Sequence, residues 1–270
     1  MTPRRDDGPS PVGAPSESTD SPVGLRVLVT GGTSGIGSGI VEHLRHGGAH
    51  VVFTGRDHGR GSTLAQATGA AFVPADLRDS TVIGTMVEAA VDRLGGLDGL
   101  VLCAGVLHRA RLSETSDDAW DEIIGLNVVA PFLVARACLR HLRAGGGAIV
   151  AIASGTALWP EMELGAYSVS KRALLSMTQM LAVESAPHGV RVNAVCPGDT
   201  SAGMSALVDG GGRRDHGPPV MPPVGRLAAP VDAAAAVAFL LSPGAAFCSG
   251  AVLAVDGAMR AALRAHRVSA

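Results

Sequence analysis

The chain reads as a single α/β domain, doubly wound, with a central seven-stranded parallel sheet and helices on both faces. Three observations predict this. Short apolar runs rich in β-branched residues alternate with segments of helical spacing, which is the rhythm of βαβ units with right-handed crossovers. The runs are unbroken rather than alternating polar and apolar, as strands buried on both faces are. A glycine-rich turn, "TGGTSGIG" at residues 30–37, follows the first run directly.

The elements follow in order. Residues 1–23 are rich in Pro, Ser, Asp and Gly, too polar to offset the entropy of ordering, and read as a flexible leader. Arg4 and Arg5 have no apolar core after them, so this is not a secretory signal. Residues 25–30 ("LRVLVT") are the first strand, and 35–46 a helix with Ile36, Ile40, Val41 and Leu44 on one side. Residues 50–54 ("HVVFT") and 71–74 are the second and third strands. Residues 81–93 have the spacing of an amphipathic helix, 97–103 ("LDGLVLC") are the fourth strand and 115–143 a long helix. After a fifth strand at 148–153, residues 167–188 form a helix on the spacing of Ala173, Leu174, Met177, Met180 and Leu181. The sixth and seventh strands are 190–195 ("VRVNAV") and 252–255. Residues 199–225 break the rhythm. They are rich in Gly and Pro, longer than an ordinary connection, and follow a strand's C-terminal end, which reads as a substrate lid. The domain spans 24–260, leaving 261–270 as a C-terminal tail.

Composition excludes several functions. Of 270 residues, 47% are hydrophobic and 17% charged, and the net charge of −2 provides no basic field for nucleic acid. No uninterrupted apolar run approaches the roughly 18–20 residues of a membrane span. The longest, around 233–241, is half that, so the expected location is cytoplasmic, away from the membrane. Cys103, Cys138, Cys196 and Cys248 show no C-x-x-C spacing, which argues against zinc or a disulfide framework and fits a reducing compartment. His43 and His46 lack a third ligand nearby, so no metal is expected.

The turn at 30–37 has the context that makes a glycine pattern informative: strand before it, helix after it. Its spacing is G-x-x-x-G-x-G. Gly31 allows a tight turn, Gly35 and Gly37 allow close approach, and the helix N-terminus offers N–H groups and positive dipole to a pyrophosphate. Thr33, Ser34 and Ile36 lie in the same turn. At the end of the second strand the chain has Gly55-Arg56 where a carboxylate would bind a free ribose 2′-hydroxyl. A guanidinium suits a 2′-phosphate, so NADP(H) is expected over NAD(H). Asp57, the next residue, is placed either to pair with Arg56 or to reach a ribose.

The chain contains one tyrosine and one lysine against 21 arginines. Both singletons fall in "YSVSK", Tyr167 and Lys171, at i and i+4 of a predicted helix and so on one face. A nearby ammonium favours phenolate, which suits general acid–base work near neutral pH. Ser154, just past the fifth strand, is placed to donate a hydrogen bond to a carbonyl oxygen at the sheet's C-terminal edge.

These residues resemble the short-chain dehydrogenase/reductase (SDR) family, from about Leu25 to Gly257. The motifs are "TGGTSGIG", "ADL" at 75–77, Asn127 in "GLNVVAPF", Ser154, Tyr-x-x-x-Lys, "RVNAVCPG" at 191–198 and "VDGA" at 255–258. The resemblance implies a Rossmann-type fold and an NADP(H)-dependent oxidoreductase acting on a carbonyl or secondary alcohol, as a ketoreductase more than a dehydrogenase. Tyr167 would be the general acid or base, with Lys171 lowering its pKa and holding the nicotinamide ribose. Ser154 would orient the substrate oxygen, and Asn127 would hold a proton-relay water. Asp76 and Leu77 would meet the adenine, Cys103, Ala104 and Gly105 would face the adenosine side, and Pro197 and Gly198 would border the nicotinamide. The family's usual Asn-Asn-Ala-Gly is Leu102-Cys103-Ala104-Gly105 here, which puts those polar contacts in question. Ala202 stands where a threonine often meets the carboxamide, a task for which Thr200 or Ser201 is nearby. A homotetramer, or a homodimer, is the assembly the resemblance implies. Trp159, Met162 and Met204 are expected to wall the substrate pocket. Its character suits a partly apolar ketone or a cyclic polyol equally, and Arg213 and Arg214 in the lid are candidates to meet an anion. Two other activities share these features: an epimerase or dehydratase working through a transient ketone, and a non-catalytic nucleotide-binding protein on the same fold.

Overall fold

The computed structural model describes residues 21–201 and 221–265. Seven strands form one sheet: β1 (Arg26–Thr30), β2 (His50–Gly55), β3 (Ala71–Pro74), β4 (Gly99–Leu102), β5 (Gly147–Ile152), β6 (Val190–Pro197) and β7 (Val252–Val255). Every pairing is parallel, in the order β3-β2-β1-β4-β5-β6-β7. The order reverses between β1 and β4, and a ligand crevice forms at such a switch point, outside the carboxyl ends of the strands.

Alternate residues of each strand face opposite layers. Leu28, Val52, Leu100 and Ile149 join a core with α3 (Ile83–Leu94), α5 (Ala130–Leu142) and α6 (Gly165–Ser185). Val27, Val29, Val51, Phe53, Val101 and Val150 join the other core, against α1 (Gly35–His46) and α7 (Pro230–Leu241). This two-sided burial is why the strands read as unbroken apolar runs.

The helices differ from expectation in four places. Residues 58–68, between the second and third strands, were not expected to be helical, yet α2 (His58–Thr68) is there. Its two internal glycines weaken the local signal. Gly61 is nonetheless required, because a Cβ there would lie 2.4 Å from the Phe72 ring. The long helix at 115–143 is α4 (Asp117–Ile124), a π-helical turn at Gly125–Val129, and α5. This continuous stretch is long and apolar enough to cross a membrane by length and composition, which corrects the expectation that no segment would be. Its apolarity has a local explanation, since Ile123, Leu126, Ala130, Val134, Ala135, Cys138 and Leu142 are buried in the domain. The alanine-rich run at 233–241 belongs to α7, and the chain ends in α8 (Met259–Ala265), which extends past the expected domain limit at 260.

Candidate active site

The site starts where β1 meets α1. Ser34 is the N-cap of α1, but its side chain makes no capping hydrogen bond, and no acidic residue lies in the first turn. The first N–H groups of a helix have no partner within it, so they remain for a ligand. The glycines keep this corner tight. Gly31 has φ +69, and a Cβ on it would lie 2.6 Å from the Ala104 Cα. A Cβ on Gly37 would lie 2.1 Å from the Gly31 carbonyl oxygen. Behind the turn, the Thr30 hydroxyl donates to Val101 O (3.2 Å) and accepts from the backbone N–H groups of Cys103 (3.1 Å) and Ala104 (3.3 Å). The β1 and β4 ends are thus stitched without the asparagine side chains that Leu102 and Cys103 replace.

A cavity of about 290 Å³ opens over the strand ends. One end is lined by Gly31, Thr33, Ser34, Gly35, Ile36, Gly37, Arg56, Asp76 and Leu77. Cys103, Ala104 and Gly105 form the middle, and Ser154, Trp159, Tyr167, Lys171, Pro197, Gly198 and Thr200 the other end. All the expected cofactor positions therefore share one wall, although they span 170 residues of sequence. Thr200, not Ser201, lines the cavity beside Gly198, donating to its carbonyl at 3.0 Å.

The second-strand corner resolves the position of Asp57. Its carboxylate accepts from Arg60 N at 2.9 Å, caps α2 and lies 3.4 Å from the Arg60 Nε. It is not paired with Arg56, which has no ion pair or hydrogen bond among the described residues. A carboxylate at position 55 has no room either: a Cβ on Gly55 would lie 2.5 Å from the Thr33 hydroxyl oxygen. Asp76 lines the cavity, but its carboxylate is gripped by Arg78, Nε at 3.0 Å to both oxygens and Nη2 at 2.5 Å. That hydrogen bonding holds the Asp76 carboxyl below the usual range.

At the other end, α6 presents Tyr167 and Lys171 inward, 6% and 2% exposed. The Lys171 ammonium donates to Ile152 O at 3.0 Å and lies 5.7 Å from the centre of the Tyr167 ring. Burial lowers Lys171 to about 8. Burial raises Tyr167 to about 12, and the Ser154 hydroxyl pulls in the opposite direction. Ser154 Oγ also accepts from Thr156 N (3.3 Å) and Thr156 Oγ1 (3.1 Å). The net direction of the Tyr167 phenol is upward. In this arrangement withdrawal from water outweighs the other influences, and Ser154 opposes it.

A family model described as enoyl-(acyl carrier protein) reductase matches residues 31–260. The chain belongs to the short-chain dehydrogenase/reductase family. It is 36% identical over 248 residues to 2-(S)-hydroxypropyl-CoM dehydrogenase 3 of Xanthobacter autotrophicus, covering 87% of this chain and 96% of the relative. It is 33% identical over 248 residues to the L-fucose dehydrogenase of Mus musculus, covering 87% and 88%. Among solved structures, one from Beutenbergia cavernae, assigned as an NAD(P)-dependent gluconate 5-dehydrogenase with bound NADP at low occupancy, superposes with a TM-score of 0.82. That pair shares 34% identity and covers 90% of this chain and 100% of the other. The SDR chain described here is accordingly an oxidoreductase of the single-domain α/β type.

Two of the residues named from the sequence do not line the cavity. Asn127 is fully buried in the π turn and does not line the cavity. Its amide donates to Val106 O (2.9 Å) and Ser170 Oγ (3.0 Å), and its Oδ1 accepts from Val106 N (2.8 Å). Both amide protons are therefore used, and the side chain ties the loop after β4 to α6. Met162 stands 75% exposed outside the cavity wall. The chain turns through Glu163 at φ +66, so that Glu161 and Leu164 line the cavity while Met162 points to solvent. Met204, Arg213, Arg214 and most of the expected lid lie outside the described residues, as do most of the leader and the last five residues of the tail.

Sequence reasoning missed several lining residues of this SDR cavity: Leu107, Arg109, Glu161, Asp199, Met259 and Arg260. They come from three loops and the start of α8, and no spacing rule connects them.

Proposed function

We propose that the chain is an NADP(H)-dependent ketoreductase, reducing a ketone to a secondary alcohol. The observation that carries this is the Tyr167 phenol, buried at the cavity wall that Ser154 also lines, and one helical turn from Lys171. Held up to about 12 by burial, the phenol is protonated at neutral pH, which is the form a general acid needs. In this reading Ser154 donates a hydrogen bond to the carbonyl oxygen and Tyr167 delivers its proton to that oxygen as the carbon is reduced. Lys171 is anchored by Ile152 O and keeps further ammonium protons for ribose hydroxyls.

The residues present fit the cofactor. The uncapped N-terminus of α1 suits a pyrophosphate, and the glycines leave it room. Bound NADPH supplies the hydride; the chain supplies orientation and electrostatics. Arg56, lining the cavity without an ion pair while Asp57 is diverted to α2, supports preference for the 2′-phosphate. The relatives' names (two dehydrogenases of hydroxylated substrates) support alcohol–carbonyl chemistry.

We expect Tyr167→Phe to lose turnover by at least about a hundredfold, the low end for a positioned proton donor, while NADPH binding by calorimetry is retained. Wild-type turnover in that variant would refute the mechanism. Removing Arg56 (Arg56→Ala) is expected to weaken NADPH by about tenfold or more and NADH little, as a lost charge-assisted hydrogen bond predicts. Equal losses for the two cofactors would refute the preference. We also propose a homotetramer. Exposed Val129, Phe132 and Val169 lie on α5, α6 and the turn before α5, and exposed Leu253, Phe239 and Phe247 lie around the edge strand β7. Sedimentation as a monomer would refute it.

A further inference from the structure

The substrate end of the cavity holds charged side chains that neither the catalytic chemistry nor the cofactor uses. Arg109, in the loop after β4, Glu161, in the turn before α6, and Asp199, after β6, all line the cavity with Tyr167 and Ser154, and Arg260 of α8 lines it too, beside Asp256, whose carboxylate accepts from Ala258 N and Arg260 N. Several other cations are committed. Arg26 is bound to Asp98, Arg78 to Asp76, Arg140 to Glu88 and Arg226 to Asp232. The side chains of Arg109, Glu161 and Asp199 form no ion pair within 4 Å and no hydrogen bond among the described residues. They are close enough to influence one another nonetheless. Withdrawal from water and then the Asp199 charge raise the Glu161 carboxyl, and Arg109 opposes this.

The mixed signs restrict the substrate by elimination. A purely apolar ketone would cover charged groups without giving them partners, at a desolvation cost. An anion would be placed against the carboxylates of Glu161, Asp199 and Asp256, and a cation against Arg109 and Arg260. A hydroxyl is both donor and acceptor, so one group satisfies either sign. Leu107, Leu164 and Trp159 in the same wall suit the carbon face of a ring.

Resting on the ketoreductase reading above, we infer that the substrate is a neutral polyhydroxylated ring, a cyclic polyol or a sugar in its ring form, whose hydroxyls accept from Arg109 and donate to Glu161 and Asp199 while one ring carbinol faces Tyr167 and Ser154. In the oxidising direction, the carbinol C–H bond breaks with hydride going to NADP⁺. The hydroxyl proton goes to the Tyr167 oxygen and onward to solvent, leaving a ring ketone or lactone.

The test uses the full chain with NADP⁺ and a matched ring panel: cyclohexanol, inositol stereoisomers and aldohexoses, 4-hydroxycyclohexanecarboxylate, and 4-aminocyclohexanol. A member of the polyhydroxylated group is expected to exceed cyclohexanol in kcat/KM by about tenfold or more, the effect of one charge-assisted hydrogen bond. Calorimetry of that polyol on the NADP⁺ complex is expected to show about tenfold weaker binding for each of Glu161→Gln and Arg109→Gln. If the carboxylate, the amine or plain cyclohexanol is preferred, or if both variants bind the polyol within about twofold of wild type, the substrate class is overturned and the ketoreductase reading stands. If no alcohol in the panel is oxidised although NADP⁺ binds, and a ketone screen with NADPH is also silent, the ketoreductase reading falls and the substrate inference falls with it.

Discussion

Replacing Lys171 by methionine is expected to stabilise the fold at neutral pH. The side chain is 2% exposed, and its ammonium donates one hydrogen bond among the described residues, to Ile152 O at 3.0 Å. Burial moves its pKa from 10.5 to about 8. At about 1.4 kcal/mol per tenfold change, holding the charged form in the folded protein costs about 3 kcal/mol at pH 7. Methionine has similar bulk and no charge, so it removes that cost. It also leaves the Ile152 carbonyl unpartnered, losing about 1 kcal/mol. The net expectation is about 2 kcal/mol of added stability, read as a higher urea midpoint with an unchanged slope. The sign with pH is definite. Below pH 8 both states carry the proton and the penalty is full. Between about 8 and 10.5 the folded state releases the proton first, the unfolded state binds more, and wild-type stability rises with pH. At pH 10 the penalty falls below about 1 kcal/mol and the advantage of the variant should vanish. Measurements should stop there, because Tyr167, raised to about 12, lowers stability as pH climbs beyond the ordinary tyrosine value of 10. A variant destabilised equally at pH 7 and pH 10 would refute the reasoning. Stabilisation accompanied by lost turnover would show Lys171 retained for function against stability.

Two further expectations concern the frame of the site. Asn127→Ala removes a fully buried amide with three hydrogen bonds and leaves both backbone groups of Val106 unpaired, so a loss of about 2–4 kcal/mol in urea unfolding is expected. A loss under about 1 kcal/mol would mean the clip is not structural. Gly37→Ala would place a Cβ 2.1 Å from the Gly31 carbonyl, backbone against backbone. It should weaken cofactor binding by calorimetry by about tenfold or more, because the turn must open by about an ångström to relieve such overpacking. Unchanged binding would show that the turn tolerates opening.

Much of the fold was legible because burial writes itself into composition. Val27, Leu28 and Val29 point to different layers yet are all apolar, since both layers are covered. The turn at 30–37 was legible because only glycine permits the close backbone approaches at Gly31 and Gly37. Helix α2 was missed because its two glycines lower its intrinsic propensity, and its stability comes from the Asp57 cap and from packing on Phe72. Met162 was misplaced because side-chain direction in a turn depends on backbone angles that residue type does not encode.

What the sequence determined by itself is the chemical vocabulary. A chain with one tyrosine and one lysine places them four residues apart on a helix, because arginine cannot serve as a compact ammonium and phenylalanine carries no proton. Tertiary structure alone decided how those groups behave. Burial is the largest influence on the Tyr167 proton affinity, and it raises it. Arg60 and the α2 N-terminus take Asp57 away from Arg56. Loops far apart in sequence bring Arg109, Glu161 and Asp199 to the same cavity. These outcomes depend on distance and on exclusion of water, which arise only when the strand ends converge at the switch point of the sheet.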